Sequence, residues 1–229
     1  HPWATLLDAM NYDAMGLGNH DFDYGLEALA TFCADTDVPV LSASAVPALP
    51  NVLPHVILER AIPGTAQPLR IGVTSVLPPQ TLIWNHAQLT GHLTFRDGVE
   101  AAADAVAALR ADGADVVVVL CHSGLSDTSA PGAENFARAL AAHVQGVDAM
   151  ILGHTHERFP DAALGHLDGV DTSGGTISGV PAAMPGFAGA LLAQIDLHLA
   201  HRDGTWRVTG HDVRLRDLAQ AEPDPEATR

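Results

Sequence analysis

Apolar and polar positions along this chain follow two rhythms, and the change between them comes after residue 152. Before it, helical and strand periods alternate. Residues 2–10 put Trp3, Leu6, Leu7 and Met10 on one helical face, and a short run at 14–17 reads as a strand stopped by Gly18. Residues 25–33 are helical again, 38–42 strand-like, and 46–52 a proline-broken connector. Runs at 56–62 and 69–76 predict strands, the second ended by Pro78-Pro79, whose rings fix φ and remove amide donors. Residues 99–111 form the clearest amphipathic helix, with Val99, Ala102, Ala103, Val106 and Leu109 facing inward. That helix feeds 116–121, an apolar run containing four successive valines, as expected of a strand covered on both faces. A helix at 134–144 and a strand at 149–152 follow.

Beyond that point, 174–179, 180–184, 190–199 and 206–215 read as successive strands with turns such as Arg202-Asp203-Gly204 between them. Pro181 and Pro185, close to Gly186, read as a turn before a strand. Alternation followed by a strand-rich end predicts a layered α/β sandwich rather than a simple doubly wound sheet.

Composition narrows the partners. With 229 residues, 47% of them hydrophobic, the chain can bury one large core. It carries 27 acidic residues against 11 basic ones, all arginine, for a formal charge of −16. Such a charge repels a nucleic-acid duplex and an anionic membrane surface. A phosphate-ester substrate would need the local field reversed, most simply by bound cations. No run of 18 apolar residues occurs, so no membrane span is expected. Cys33 and Cys121 are too few for a disulfide framework, and Cys121, closing an apolar run, is expected as a buried thiol. The chain opens at His1-Pro2 and ends in the linker-like Glu222-Pro223-Asp224-Pro225-Glu226. The expected organisation is a partial catalytic domain over 1–218, with 219–229 as a linker or the start of a further domain, behaving as a monomer.

Three glycine-flanked groups carry the chemistry: Gly18-Asn19-His20-Asp21-Phe22-Asp23, His122-Ser123-Gly124 and Gly153-His154-Thr155-His156. Each follows an apolar run, so each stands where an open α/β sheet presents its chemistry, at the end of a strand. Glycine allows close backbone approach to a ligand. His154 and His156, two apart on a tight loop, can direct both rings into one small volume. Imidazole with carboxylate or amide oxygen suits zinc, manganese or iron. A pair of such ions would serve phosphoryl hydrolysis.

These groups resemble the later motifs of the calcineurin-like metallophosphoesterases, and Gly18-Asn19-His20-Asp21-Phe22-Asp23-Tyr24-Gly25 is similar to their 5'-nucleotidase branch. Further likeness, to members acting on 2',3'-cyclic nucleotides and 3'-nucleotides, lies in residues 77–84, 114–126 and 179–186. The resemblance implies a four-layer α/β/β/α sandwich, incomplete at its N-terminus. It implies Asn19, His122 and His154 as ligands of one divalent ion and His156 as a ligand of a second, of the zinc, manganese, iron or cobalt class. His20 would contact the scissile phosphate, held by Asp23, with Asp21 as the alternative carboxylate or as a tie for the loop. The implied reaction is hydrolysis of nucleoside 2',3'-cyclic phosphates and 3'-nucleotides by metal-activated water, with a nucleotide as substrate and an exported, periplasmic or cell-surface location.

The family's first two motifs, Asp-x-His and Gly-Asp, do not occur ahead of Asn19, nor does a base-stacking second domain occur before Arg229. The 229 residues alone are therefore expected to bind metal weakly and turn over near background. A 5'-nucleotidase or UDP-sugar hydrolase and a non-catalytic module are the competing readings, with a sulfur-compound hydrolase a third class. Ser44 stands where relatives usually carry asparagine. Trp84 is expected to pack rather than to serve a substrate. His86 and His92 are expected to face solvent, His198, His201 and His211 to be uninvolved, and Asp127 and Thr128 to shape the mouth of the site.

Overall fold

The computed structural model describes residues 2–125, 132–219 and 221–222. Asp127, Thr128 and most of the 219–229 linker lie outside the described residues. Four parallel strands make the centre of the main sheet: Leu69–Val76, Val116–Cys121, Ala149–Leu152 and Val180–Pro185, in that spatial order. The antiparallel strand His55–Arg60 extends one side, and the short strands Thr176–Ile177 and Val170–Asp171 extend the other. The valine run behaves as a doubly covered strand should, with Val117 and Val119 fully buried and Val119 in register with Met150.

A smaller parallel sheet, Met15–Gly16, Val40–Leu41 and Val52–Leu53, packs face to face against the main one. Helices Gly98–Ala111 and Ala137–His143 cover the outer face of the main sheet, while Pro2–Ala9 and Gly25–Asp35 flank the small one. The result is the α/β/β/α sandwich. Asp97 caps the helix Gly98–Ala111 by accepting from the amides of Val99 and Glu100, satisfying donors the helix cannot. The helix sits close to the sheet because Gly72 lacks a side chain: a Cβ there would fall 2.9 Å from Leu109 Cδ2. After Val180–Pro185 comes a long hairpin, Leu191–Arg202 with Thr205–Asp217. Its turn residues Asp203 and Gly204 have φ of 53° and 76°, the two positive values a tight hairpin turn of this twist requires.

Several expectations need correction. In the first helix Ala4 is the buried residue and Leu7 packs partly buried against the core, while Trp3 is 66% and Met10, just past the helix, 56% exposed, so the predicted apolar face is covered only in part. Pro181 and Pro185 lie inside a strand, not in a turn before one. The expected strand at 174–179 shrinks to Thr176–Ile177, since the Asp171 carboxylate accepts from the amides of Ser173 and Gly174 and bends the chain there. The helix expected from residue 134 starts only at Ala137, because Ser123 takes the Phe136 amide and the Glu134 carbonyl into its own hydrogen bonds. The polar connector after Pro79 contains two short helices, Thr81–Trp84 and His86–Leu89.

Candidate metal and phosphate site

Three strands end at one place. Leaving Met15–Gly16, the chain turns through a single 3-10 turn, Asn19–Phe22, pinned by the Gly18 amide donating to Asp21 Oδ2 at 2.7 Å. Burial raises the Asp21 carboxyl above its ordinary pKa, and the Gly18 amide works against that shift. The strand Val116–Cys121 delivers His122, and Ala149–Leu152 delivers His154 and His156. His154 and His156 both have positive φ, 77° and 61°, a region non-glycine residues occupy at a cost of about 1–3 kcal/mol. The loop holds that strain at the point where chemistry is expected.

Asn19, His122 and His154 are brought together. Asn19 Oδ1 lies 2.9 Å from His122 Nε2 and 3.2 Å from His154 Nδ1, and the two imidazole centroids are 5.2 Å apart. Burial holds the His122 imidazole down at about 4, and the neighbouring His154, His20 and His156 push in the same direction. The ring is neutral at neutral pH, with a lone pair to offer. His156 does not join the trio: it is exposed and stacks on Phe187 at 5.2 Å, near enough to be felt electrostatically by His122.

His20 and Asp23 form a pair of their own. His20 Nδ1 is 2.8 Å from Asp23 Oδ2, and this contact holds the Asp23 carboxyl below its ordinary pKa. Asp23 Oδ1 also accepts from Asn85 Nδ2 at 2.8 Å, and the Asp23 carbonyl from Gln88. With Nδ1 engaged, Nε2 is the edge His20 can present to a ligand, and its side chain is 79% exposed. His20 and Asp21 also border a hollow of about 770 Å³, walled on its other side by apolar residues such as Met15, Leu29 and Phe32.

Sequence reasoning missed the supporting residues. Trp84, expected as a packing residue, is 43% exposed and stands against the site, its ring stacked on His154 at 5.0 Å. Glu134 Oε1 is 2.9 Å from His154 Nε2. Glu134 stands beside no motif, and Trp84, though it closes the 77–84 segment, lies 70 residues from His154, so local spacing tied neither to that ring. Asn85 and Gln88 sit in the connector that read as polar loop. Ser44 is fully buried and exchanges hydrogen bonds with the backbone of Leu77, a structural use. His86 and His92 are exposed. On the hairpin, His198 pairs with Asp212 and His201 lies tilted against Trp206, while His211 donates from it to the Gly174 carbonyl.

Among the described residues, no group of three or more His, Cys, Asp or Glu side chains is spaced to hold a metal ion. The convergent trio consists of two imidazoles and one amide oxygen, a donor set that fits one ion of the zinc, manganese or iron class. A second ion would find His156 alone and does not fit these residues. The trio is built around Gly18, where a Cβ would fall 2.7 Å from His122 Cε1. The backbone at Gly18 is extended, so alanine is conformationally acceptable and only the clash decides. Gly18→Ala should push His122 off Asn19 and weaken zinc binding in a calorimetric titration while leaving the fold intact by circular dichroism. Unchanged affinity would show that the trio is not the binding locus.

No protein-family model matches the chain. It is 38% identical over 228 residues to the 2',3'-cyclic-nucleotide 2'-phosphodiesterase/3'-nucleotidase of Salmonella typhimurium, covering 96% of the chain and 35% of that protein. It is 34% identical over 225 residues to the trifunctional nucleotide phosphoesterase protein YfkN of Bacillus subtilis, covering 96% of the chain and 15% of that protein. The chain thus spans about a third or less of these relatives. The crystal structure of the calcineurin-like phosphoesterase YfkN superposes with a TM-score of 0.91 at 33% identity, covering 98% of the chain and 69% of that structure. Motifs, layered fold and this match together assign the chain to the calcineurin-like metallophosphoesterases, in their 5'-nucleotidase family and close to YfkN.

Proposed function

We propose that these 229 residues are part of the catalytic domain of a divalent-metal phosphoesterase that acts on nucleoside 2',3'-cyclic phosphates and 3'-nucleotides, and that by themselves they are close to inactive. The observation that carries this reading is the convergence of Asn19 Oδ1, His122 Nε2 and His154 Nδ1. These three would hold one ion, and His156 would contribute to a second. When bound, such ions supply Lewis-acid charge to an anionic phosphoryl group. His20, oriented by Asp23, would contact the phosphate and place a proton or positive charge on the leaving oxygen.

The family's fold implies a binuclear site in the complete protein, and the ligands missing around His156 would come from polypeptide upstream of His1. The apolar hollow beside Met15–Gly16, an edge of the small sheet among the described residues, supports that arrangement because added strands could pack there. Residues 219–229 would lead to the substrate-binding domain. No described helix is long and apolar enough to cross a membrane. Export to the periplasm or cell surface belongs to the same proposal, and a cleavable leader encoded upstream would test it.

The decisive experiment compares the 229-residue chain with a polypeptide extended at both ends along its gene. Each is titrated with zinc and manganese by calorimetry and assayed on 2',3'-cyclic AMP, 3'-AMP and 5'-AMP. The chain alone should bind about one ion weakly, with turnover near background, because ligand number and preformed geometry set affinity. The extended polypeptide should bind two ions and favour the cyclic and 3' substrates. Tight binding of two ions and rapid hydrolysis by the chain alone would overturn the inactivity. Preference for 5'-AMP would make the protein a 5'-nucleotidase, and an inert extended polypeptide would make it a non-catalytic module.

A further inference from the structure

His154 is gripped on two sides by residues outside the three glycine-flanked groups. Its Nε2 faces Glu134 Oε1 at 2.9 Å, and its ring face lies on Trp84, 5.0 Å between centroids with 29° between planes. Its remaining nitrogen, Nδ1, faces Asn19. We propose that Glu134 and Trp84 are positioning residues for His154, the carboxylate fixing Nε2 as the protonated nitrogen and the indole fixing the ring plane, so that the Nδ1 lone pair is aimed at Asn19 and His122.

The hydrogen bonding leads to this directly. An ionised carboxylate has no hydrogen to give, so the Nε2–Glu134 contact requires the proton on Nε2. In the neutral ring that leaves Nδ1 as a bare acceptor. Asn19 Oδ1 is an acceptor as well, and two acceptors 3.2 Å apart are better reconciled by a cation near both than by a direct bond. Carboxylates on the far nitrogen of a histidine serve metal sites in this way, fixing the tautomer and raising the basicity of the ligand.

The surroundings make the grip rigid. Ser123 Oγ donates to the Glu134 carbonyl at 2.9 Å and accepts from the Phe136 amide at 2.7 Å, while Asn135 Oδ1 accepts from the Gly124 amide at 3.1 Å. The segment carrying Glu134 is thereby stitched to the strand end that carries His122. Trp84 closes the short helix Thr81–Trp84, and its neighbour Asn85 holds Asp23. One connector therefore braces both His154 and the His20–Asp23 pair.

The role toward a metal rests on the function proposed above, but the tautomer does not, and that separates the tests. The first measurement is the ring ¹⁵N spectrum of His154 in the metal-free chain near neutral pH, assigned by its loss in His154→Asn. Wild type should show the Nε2–H tautomer. Glu134→Ala should shift the ring toward a mixture with the Nδ1–H form, and Glu134→Gln, whose carbonyl oxygen can still accept, should restore most of the original population. Trp84→Ala should broaden the signal and Trp84→Phe should rescue it.

Zinc calorimetry should then find Glu134→Ala about 10- to 100-fold weaker than wild type, the range typical of such partners. Glu157→Gln is the control: its carboxylate accepts from Thr155 Oγ1 rather than from His154, so tautomer and affinity should not change. An Nδ1–H or fully protonated ring in wild type, or an unchanged His154 spectrum in Glu134→Ala, would overturn the proposal. If the tautomer responds as expected and wild type binds no zinc, the positioning holds and the metal-dependent function fails.

Discussion

His122→Ala should abolish measurable divalent-metal binding, and with it turnover in the extended polypeptide, whereas His20→Ala should remove turnover and leave the metal in place. Among the described residues, His122 is one of three donors at the convergence point. Loss of a direct donor should exceed the roughly 10- to 100-fold cost of losing an outer partner. His20 touches Asp23 and no member of the trio in a hydrogen bond, so its loss should cost about 10²- to 10⁴-fold in kcat, the range for a positioned acid–base group. Calorimetry and a phosphodiester assay on the same two variants check both halves. Metal retained in His122→Ala, or full activity in His20→Ala, would remove the corresponding role.

The second large effect concerns stability. Phe136 is 2% exposed in the core, and its ring fills the space over Gly98: a Cβ on Gly98 would fall 2.2 Å from Phe136 Cζ. Phe136→Ala should lower stability by about 3–5 kcal/mol through lost burial and the cavity left behind. At roughly 2–4 °C per kcal/mol for a domain of this size, the melting temperature should fall by roughly 10 °C. Gly98→Ala offers a sharper comparison. Gly98 is the first residue of its helix, where propensity matters little, and the aromatic ring stands where the methyl group must go, so alanine should destabilise. In the double variant the methyl group enters the vacated space, and the combined loss should be smaller than the sum of the two. Urea unfolding of the three variants measures this. A Phe136→Ala loss under about 1 kcal/mol would show that the core closes around the gap.

How much of this was legible in advance depended on how local the cause was. Residues 116–121 announced a covered strand because burial on both faces leaves no room for polar alternation, and the helix beginning at Gly98 announced itself through its apolar stripe. The three motif groups could be placed at strand ends because each directly follows an apolar run, two of them stopped by Gly18 and Gly153 and the third by His122 itself.

The outward turn of Trp3 and Met10 was not legible. An apolar face shows that something should cover it, not whether this chain supplies the cover. Spacing favoured Asp23 over Asp21 as the partner of His20 without separating the two roles. Only the turn Asn19–Phe22 directs Asp21 to the Gly18 amide and Asp23 to His20. Glu134 and Trp84 are 20 and 70 residues from His154 (154 − 134 and 154 − 84), with no periodicity linking them. The sequence by itself determined the buried strands 69–76, 116–121 and 149–152 and which candidate side chains stand beyond the strand ends, since both follow from neighbours within a few residues. Which nitrogen of His154 is turned toward the site was decided only by tertiary structure, because it depends on a carboxylate and an indole that the fold alone brings to that ring.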